Sequence, residues 1–474
     1  MVKILTSAFV LVSLLLTGYT YVDLQPPTAA LLRGASDLII HPAGFGYLSG
    51  FSSYRAPAAA YSSKSDQYLL VFENGEGGLD LDYWIASSGD PAGGYHEIQS
   101  DHGASNPDVV YDKRYDRFLV VWDELVCLGV PADCHYVIKG QLLHGGFKKD
   151  GVFASSAFTI ASRHGAGIDM RQPAAAYNDI DYQYVVVFRY GQDYLNSYPS
   201  IHGQMLSASE NEPAVLTEVV NDLGGFEIRK YEGGWGVRNP DVAWNSHGGT
   251  FMSVWQTSHD THDDYISGRH LYDYYRSGFE QGYGGNAFML APFSGGTNPL
   301  ENECSHPAIA YDPGNKNYVM VFQHREGDEQ VSPTTIHAQR LNRSYDPTKI
   351  YEGYSFPVET DNSKVEYHIQ PAIAYSGLGQ DMYAVYASWD ANEPGTDQFW
   401  LTERTLRGGD AAPRFKIRTA YPDAGINHPG VAGAKNGRAL VVWDELSENL
   451  EHRGIKGVFI KPAENVYLPS VINK

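Results

Sequence analysis

The chain has 474 residues and a formal net charge of −21, with 43% hydrophobic residues and a pI near 5.2. Such an acidic surface argues against nucleic acid and anionic membrane surfaces as partners, because both carry the same sign of charge. The hydrophobic content is that of a globular protein, and the length alone suggests about three domains.

The first 20 residues have the character of a secretory signal peptide. One early lysine precedes an apolar run from Ile4 to Leu16, which matches a signal-peptide core and falls short of the roughly 20 residues of a membrane span. We therefore expect a signal peptide over residues 1–20, a linker over 21–36, and a protein that is secreted, extracellular or held at the cell surface. An uncleaved N-terminal anchor is the alternative, since no small-residue cleavage pattern precedes Tyr21. No other segment is predicted to cross a membrane.

A motif exemplified by Ser105–Glu124, SNPDVVYDKRYDRFLVVWDE, recurs along the chain. It consists of a proline, a short alternating apolar run, a polar turn and a second apolar run that closes on an aromatic residue. Its seven copies begin at Pro57, Pro107, Pro173, Pro240, Pro307, Pro371 and Pro429. The closing aromatic residues are Phe72, Trp122, Phe188, Trp255, Phe322, Tyr386 and Trp443. So regular a spacing indicates a repeated structural unit.

Each copy is predicted to form a β-hairpin. Residues 307–311, PAIAY, alternate with period two, as a strand with two distinct faces does. Residues 312–317 have turn chemistry, and Tyr318–Phe322 is a β-rich buried run. We place the proline at the first residue of the strand, where its missing N–H costs no ladder hydrogen bond.

Two further strands are predicted after each hairpin. The third carries the spacing Ile-x-Gly-x-x-Leu or a variant, as at Ile138, Gly140 and Leu143, and the fourth is a short apolar run such as Phe158–Ile160. In the third repeat the fourth strand is predicted at Val219–Val220. Four strands in each of seven repeats predict an all-β fold, a single seven-bladed β-propeller of four-stranded antiparallel blades.

The ring is predicted to close with a strand from near the N-terminus. Asp37–His41 has the pattern of a fourth strand without a blade of its own, whereas the seventh repeat lacks one. Pairing the two removes the free edges of the ring. The propeller is therefore placed at residues 37–463 and a C-terminal tail at 464–474, with Val466–Leu468 as the alternative closing strand.

This repeat resembles that of uncharacterised secreted bacterial propellers, whose blades carry the pattern PAVAY…YLVVW…I-x-G-x-x-L. The match spans Pro57 to Ile460 and departs from the pattern at Gly433, where the first aromatic residue of blade seven is expected. The resemblance implies the propeller architecture and export, and it brings no catalytic motif. The Ser-x-Asp-x-Gly-x-Thr-Trp box of sialidases is absent from the sequence.

Function is expected on the face that carries the variable loops between strands two and three. The residue before each repeat proline belongs to this face, and six of the seven are amide or imidazole residues. They are Ala56, Asn106, Gln172, Asn239, His306, Gln370 and His428. We expect them to ring the mouth of the axial channel, with Asp108 and Asp241 just inside. They form either a polar collar that binds a ligand or the lining that any water-filled channel needs.

A second set of polar residues follows the strand-two runs. Its members are Glu73, Asp123, Glu124, Asp390, Asp444 and Glu445. Paired carboxylates serve as acid and base in glycoside hydrolysis, coordinate Ca²⁺, or cap backbone N–H groups at strand ends. We take Asp123, Glu124, Asp390 and Asp444 as ligand-binding candidates together with the six polar residues before the prolines. No residue is assigned to catalysis or to a metal, and Ca²⁺ is the one cofactor for which the sequence leaves room.

Three cysteines occur in the chain. Cys127 and Cys134 flank the loop LGVPAD, and their proximity predicts a disulfide in an exported protein. Cys304 is expected to be a buried free thiol. The loop Ser258–Asp264, SHDTHDD, is dense in potential metal ligands, but no helix fixes its two histidines on one face, so a solvated loop is favoured.

Two functions are consistent with these observations. The first is a secreted, non-enzymatic propeller that binds a glycan or an extracellular protein at the cell surface or in an extracellular assembly. It rests on the predicted export, on the repetitive chain, on the 34 tyrosines that offer flat contact surfaces, and on the lack of a Gly-x-Ser-x-Gly, HExxH or phosphate-loop motif.

The second function is a polysaccharide-active glycoside hydrolase or lyase. In it His306, His428, Asp123 and Asp444 act as acid and base. Fold alone does not choose between binder and enzyme, because propellers host both roles. The flat sides of a propeller also leave self-association open.

Overall fold

The structure is a computed structural model, which describes the chain in a series of ranges separated by gaps. The described residues are 37–39, 55–75, 80–87, 90–98, 103–127, 134–146, 155–163, 168–191, 199–208, 214–215, 224–229, 235–259, 264–272, 288–291, 302–326, 334–342, 355–358, 366–377, 382–390, 400–407, 410–411, 415–418, 426–435, 437–446 and 453–460. Every regular element among them is a β-strand. No helix in these ranges is long and apolar enough to cross a membrane.

The strands form seven antiparallel sheets, which confirms the predicted propeller blades. Blade one consists of β2 (Arg55–Ser62), β3 (Gln67–Asn74), β4 (Asp80–Ser87) and β5 (Asp90–Glu97). Blade two consists of β6 (Ala104–Asp112), β7 (Arg117–Cys127), β8 (Cys134–His144) and β9 (Phe158–Ala161). Blade three consists of β10 (Met170–Asn178), β11 (Gln183–Tyr190), β12 (Ser200–Ser207), β13 (Ala214–Val215) and β14 (Phe226–Arg229). Blade four consists of β15 (Trp235–Asn245), β16 (Thr250–His259), β17 (Tyr265–Tyr272) and β18 (Phe288–Ala291).

The remaining blades follow the same order. Blade five consists of β19 (Asn302–Asp312), β20 (Asn317–Glu326), β21 (Thr334–Leu341) and β22 (Phe356–Pro357). Blade six consists of β23 (Glu366–Tyr375), β24 (Met382–Asp390), β25 (Trp400–Arg407), β26 (Asp410–Ala411) and β27 (Phe415–Arg418). Blade seven consists of β28 (Ile426–Gly433), β29 (Ala439–Leu446), β30 (Arg453–Ile460) and, from the other end of the chain, β1 (Asp37–Ile39).

The ring closes as predicted, by the N-terminal strand. β1 runs antiparallel to β30, with Leu38 opposite Gly457. The first strands contact one another in a closed cycle, from β2 to β6, β10, β15, β19, β23, β28 and back to β2. The alternative closing strand at Val466–Leu468 lies outside the described residues, as does Val219–Val220. In blade three the strand beside Gly203 is instead β14.

The repeat proline lies inside the first strand, so its predicted place at the first residue is wrong. In blade two, β6 begins at Ala104, and Ser105 pairs with Asp123 while Asp108 pairs with Val121. Two residues of β6, Asn106 and Pro107, therefore lie opposite a single residue of β7. The same register shift occurs in all seven blades. It is a β-bulge, one of the few places inside a strand where a missing N–H is tolerated.

The core consists of apolar side chains between adjacent blades. The seven closing aromatic residues are at most 2% exposed. Between blades one and two, for example, Leu69 and Val71 pack with Val109, Phe118 and Trp122. Burial of one large apolar side chain contributes about 1.5–3 kcal/mol, so the repeated aromatic position is a main source of the stability of the ring.

Gly433 replaces the first aromatic residue of blade seven for a steric reason. A Cβ atom at this position would lie 2.0 Å from the backbone carbonyl oxygen of Tyr375 in blade six. No side chain fits at that distance. The departure from the repeat pattern therefore permits a close backbone contact between blades six and seven.

Candidate functional site

The residues before the repeat prolines meet around one cavity on the ring axis. The cavity has a volume of 510 Å³ and is lined from all seven blades. We call these seven residues the collar. They are Ala56, Asn106, Gln172, Asn239, His306, Gln370 and His428. The seven prolines, together with Asp108, Ala174 and Asp241, complete the lining. The sequence prediction that these positions converge at the channel mouth therefore agrees with the geometry.

Each collar residue occupies the bulge and has a left-handed backbone, with φ between 45° and 55°. This region is uncommon for residues other than glycine, and Asn and His enter it more readily than most. The choice of Asn and His at four collar positions thus has a conformational reason as well as a chemical one. Ala56 shows that alanine is also accommodated in this conformation.

Five backbone N–H groups of the collar donate to side-chain acceptors on the preceding blade. The N–H of Asn106 donates to Glu73 Oε1 at 2.8 Å, and the N–H of Gln172 donates to Asp123 Oδ2 at 2.9 Å. Farther around the ring, the N–H of His306 donates to Gln256 Oε1 at 3.4 Å. Glu73, Asp123 and Gln256 all directly follow a closing aromatic residue, so one repeat position ties each of these blades to the next.

Two blades lack an acceptor at that position and supply it from the collar instead. Blade three has Arg189 there and blade six has Ala387. In blade three Gln172 Oε1 accepts the N–H of Asn239 at 3.1 Å, and in blade six Gln370 Oε1 accepts the N–H of His428 at 2.9 Å. The two glutamines of the collar therefore replace the missing acceptors. We did not predict this exchange, although it is visible in the sequence, because each of these glutamines is followed seventeen residues later by a residue that cannot accept a hydrogen bond, Arg189 or Ala387.

The strand-end carboxylates are mostly engaged in the interior. Asp123 is fully buried and accepts hydrogen bonds from Ser105 Oγ, Asn106 Nδ2 and the N–H of Gln172. Its pKa is raised by burial, against the lowering effect of these hydrogen bonds. The structure thus gives Asp123 a capping role, one of the three alternatives that the sequence left open.

The other strand-end candidates are not brought together at the cavity. Glu124 is fully buried, accepts from Trp122 Nε1 at 2.9 Å and lies 3.0 Å from Lys139 Nζ. Asp444 is fully buried, with Oδ1 3.1 Å from His428 Nδ1. Asp390 is the last residue of β24, and the described part of the structure does not extend to its side chain.

Two carboxyl groups do line the cavity. Asp108 Oδ2 accepts the N–H of Ala175 at 2.8 Å, and Asp241 Oδ2 accepts the N–H of Ile309 at 2.7 Å. Burial raises the pKa of Asp108 to about 6. The pKa of Asp241 is raised to about 7 by burial and, to a lesser extent, by the charge of Asp108. The pKa values of both groups are therefore raised toward neutral pH, in each case mainly by burial.

The two histidines of the collar differ in their surroundings. Burial lowers the pKa of His306 to about 4, with further lowering by Arg238 and His428, so this imidazole is neutral at physiological pH. Its Nδ1 lies 3.2 Å from Ser305 Oγ. The Nδ1 of His428 is oriented by Asp444. Neither Nε2 atom has a hydrogen-bond partner within the described ranges.

The cysteines have the arrangement that the sequence predicts. Cys127 and Cys134 face each other at the ends of β7 and β8 and form a disulfide. Cys304 is buried and free. Most of the loop Ser258–Asp264 lies outside the described residues. Within the described ranges no group of three or more His, Cys, Asp or Glu side chains is arranged to hold a metal ion.

No protein-family model and no curated protein matches the chain. Among solved structures, an unknown-function protein from Dyadobacter fermentans is 13% identical, covering 77% of this chain and 96% of that one with a TM-score of 0.43. An α-L-arabinofuranosidase from Fusarium graminearum is 10% identical, covering 90% and 97% with a TM-score of 0.45. A sialidase from Trypanosoma rangeli is 8% identical, covering 90% and 58% with a TM-score of 0.43. Similarities this weak carry no argument about activity, which therefore rests on the residues of the chain itself.

Proposed function

We propose that the chain is a glycan-binding propeller whose ligand enters the collar. The observation that carries this is a set of polar atoms in the cavity lining that have no hydrogen-bond partner among the described residues. They are Asn106 Oδ1, Gln370 Nε2, His306 Nε2 and His428 Nε2. They include acceptor and donor positions, and a sugar hydroxyl is both donor and acceptor. The volume of 510 Å³ also falls in the range of small-molecule sites.

The proposed role is binding without chemistry, outside the cell. Asp123 and Asp444, the two carboxylates of the predicted acid–base set, are fully buried and committed to hydrogen bonds within the protein. The signal peptide predicted over residues 1–20 and the acidic composition support a secreted protein that meets glycans at a cell surface or in an extracellular assembly. The disulfide suits that compartment.

A glycan array followed by calorimetry on the hits tests this proposal. His306→Ala and Asn106→Ala are expected to fold, since blade one carries alanine at the same position. Each is expected to weaken binding about three- to tenfold, the effect of one lost hydrogen bond. His144→Ala, an exposed residue at the other end of its blade, is the control and leaves the affinity unchanged. An array without hits, or affinities that neither collar variant alters, would reject the proposal.

The alternative, a glycoside hydrolase or lyase, is favoured by one observation. Asp108 and Asp241 line the same cavity with pKa values of about 6 and about 7, and groups that titrate near the working pH are suited to general acid–base catalysis. Product analysis after incubation with each array hit separates the two functions. Cleaved product that disappears in Asp241→Asn, with binding retained, would replace binding by catalysis.

A further inference from the structure

A second cavity adjoins the collar between blades four and five. It has a volume of 650 Å³, and every residue that lines it is polar. We call it the side pocket. It shares Gln172, Asn239 and His306 with the collar cavity. One elongated ligand can therefore occupy both cavities at once.

Two arginines that line the side pocket, Arg238 and Arg325, have N–H donors without a partner among the described residues. Arg238 is about half exposed, and among the described residues it donates from Nη2 alone, to Asp264 Oδ2 at 2.9 Å. Arg325 donates from Nη1 to Glu303 Oε2 at 3.2 Å, while its buried Nε has no partner among the described residues. A guanidinium has five N–H donors in a planar fork that matches a carboxylate or a sulfate. With respect to the described part of the chain, both arginines therefore keep unused donors.

One carboxylate of the side pocket, Asp264, accepts hydrogen bonds from two side chains. Asp264 Oδ2 accepts from Gln256 Nε2 as well as from Arg238. At His306, where the two cavities meet, the charge of Arg238 outweighs the opposing charge of Asp264. Arg238 therefore places a positive charge beside the collar, in a chain whose net charge is −21. An anionic group rich in acceptors matches the guanidinium N–H groups that have no partner among the described residues.

We propose that the side pocket binds the anionic group of an acidic sugar unit, a carboxylate or a sulfate, through Arg238 and Arg325. This inference rests on the proposed glycan-binding function and specifies its ligand. The ligand is an oligosaccharide with one unit in the collar and an acidic unit beside it in the side pocket. The specificity of the protein is therefore for acidic over neutral glycans.

Calorimetry at low ionic strength with defined oligosaccharides tests the proposal on the unmodified protein. The probes are tetragalacturonate, its methyl ester, a chondroitin sulfate tetrasaccharide, cellotetraose and sodium sulfate alone. We expect tetragalacturonate or the sulfated tetrasaccharide to bind at least tenfold more tightly than the methyl ester and cellotetraose. Sodium sulfate alone is expected to compete weakly, because it fills only the side pocket. Equal affinity for acid and ester would overturn the proposal without any variant being needed.

Variants of the two arginines test whether the preference for acidic glycans arises in the side pocket. Arg325→Gln is expected to lower the affinity for the acidic probe roughly ten- to hundredfold, the effect of a lost charge-assisted hydrogen bond. Its affinity for the methyl ester is expected to stay the same. Arg238→Gln is expected to have the same effect. Arg325→Lys keeps the charge but loses the planar fork, so its affinity for the acidic probe is expected to lie between those of the wild type and Arg325→Gln. The control is Arg114→Gln, in the turn at the opposite end of blade two, which leaves all affinities unchanged.

The outcomes separate this inference from the function on which it rests. If Arg325→Gln and Arg238→Gln lower acid and ester affinities equally, the arginines only support the fold of the pocket and the proposal is refuted. If neutral glycans bind and depend on His306 while acidic ones gain nothing, glycan binding stands and the acidic specificity is wrong. If no glycan binds, both fail together.

Discussion

Replacing Gly433 by alanine is expected to destabilise the contact between blades six and seven. The new Cβ atom would lie 2.0 Å from the carbonyl oxygen of Tyr375, whereas ordinary contacts begin at 3.4 Å. Both partners are backbone in a strand, so the blades must separate by more than about 1 Å. Overpacking of this kind costs about 1–3 kcal/mol, and the absence of a flexible side chain places Gly433→Ala at the upper end, about 3 kcal/mol.

The matched control is Gly236→Ala in blade four. A Cβ atom at Gly236 meets nothing closer than Ser258 O at 4.0 Å. Alanine loses less conformational entropy on folding than glycine, so this variant is expected to gain about 0.5–1 kcal/mol. Urea unfolding followed by tryptophan fluorescence gives both values, since Trp443 is buried in blade seven. If Gly433→Ala unfolds within 0.5 kcal/mol of the wild type, the steric explanation of this glycine is wrong.

Two further predictions concern the collar and the channel. Because the folded-state pKa values of Asp108 (about 6) and Asp241 (about 7) exceed the unfolded value of about 3.9, the folded protein binds more protons between pH 4 and 7. Its free energy of unfolding should therefore fall as pH rises through that range. Urea titrations at several pH values should show a weaker pH dependence for Asp241→Asn than for the wild type. An unchanged dependence would contradict the raised pKa of Asp241. Gln370→Ala should cost about 1–3 kcal/mol, because the N–H of His428 loses its acceptor. Adding Ala387→Gln should restore part of the loss in thermal unfolding, and a double variant no more stable than Gln370→Ala would disprove the exchange of acceptors.

The repeat made the architecture readable from the sequence. Seven prolines at nearly constant distance from a buried aromatic residue define the hairpins, and Asp37–Ile39 stands out as a strand without a blade. The bulge at each proline was not predictable in the same way. Both a strand start and a bulge tolerate a missing N–H, and only the ladder on either side of Pro107 distinguishes them.

The candidate site was predicted in position and only partly in chemistry. The collar residues converge because they occupy one repeat position on a closed ring, which is a consequence of topology alone. Which side chains keep free hydrogen-bond groups depends on neighbours from other blades. Asp123 looks like an exposed strand-end carboxylate in the sequence, yet it is buried beneath Asn106 and Gln172. The pairing of Arg238 with Asp264, 26 residues away, is likewise set by the loop path and not by the repeat.

The seam between β1 and β30 also sets the order in which the protein acquires its structure. Residue 38 meets residue 457, so the ribosome must deliver nearly the whole propeller before its earliest strand finds a partner. Contacts at this sequence separation form slowly, because closing the intervening loop comes before any gain. Until then the nascent molecule is an open arc with an uncovered strand at each end, and such strands join readily to other chains. Sealing therefore follows synthesis, and crowded nascent chains are most prone to aggregate before that last strand docks.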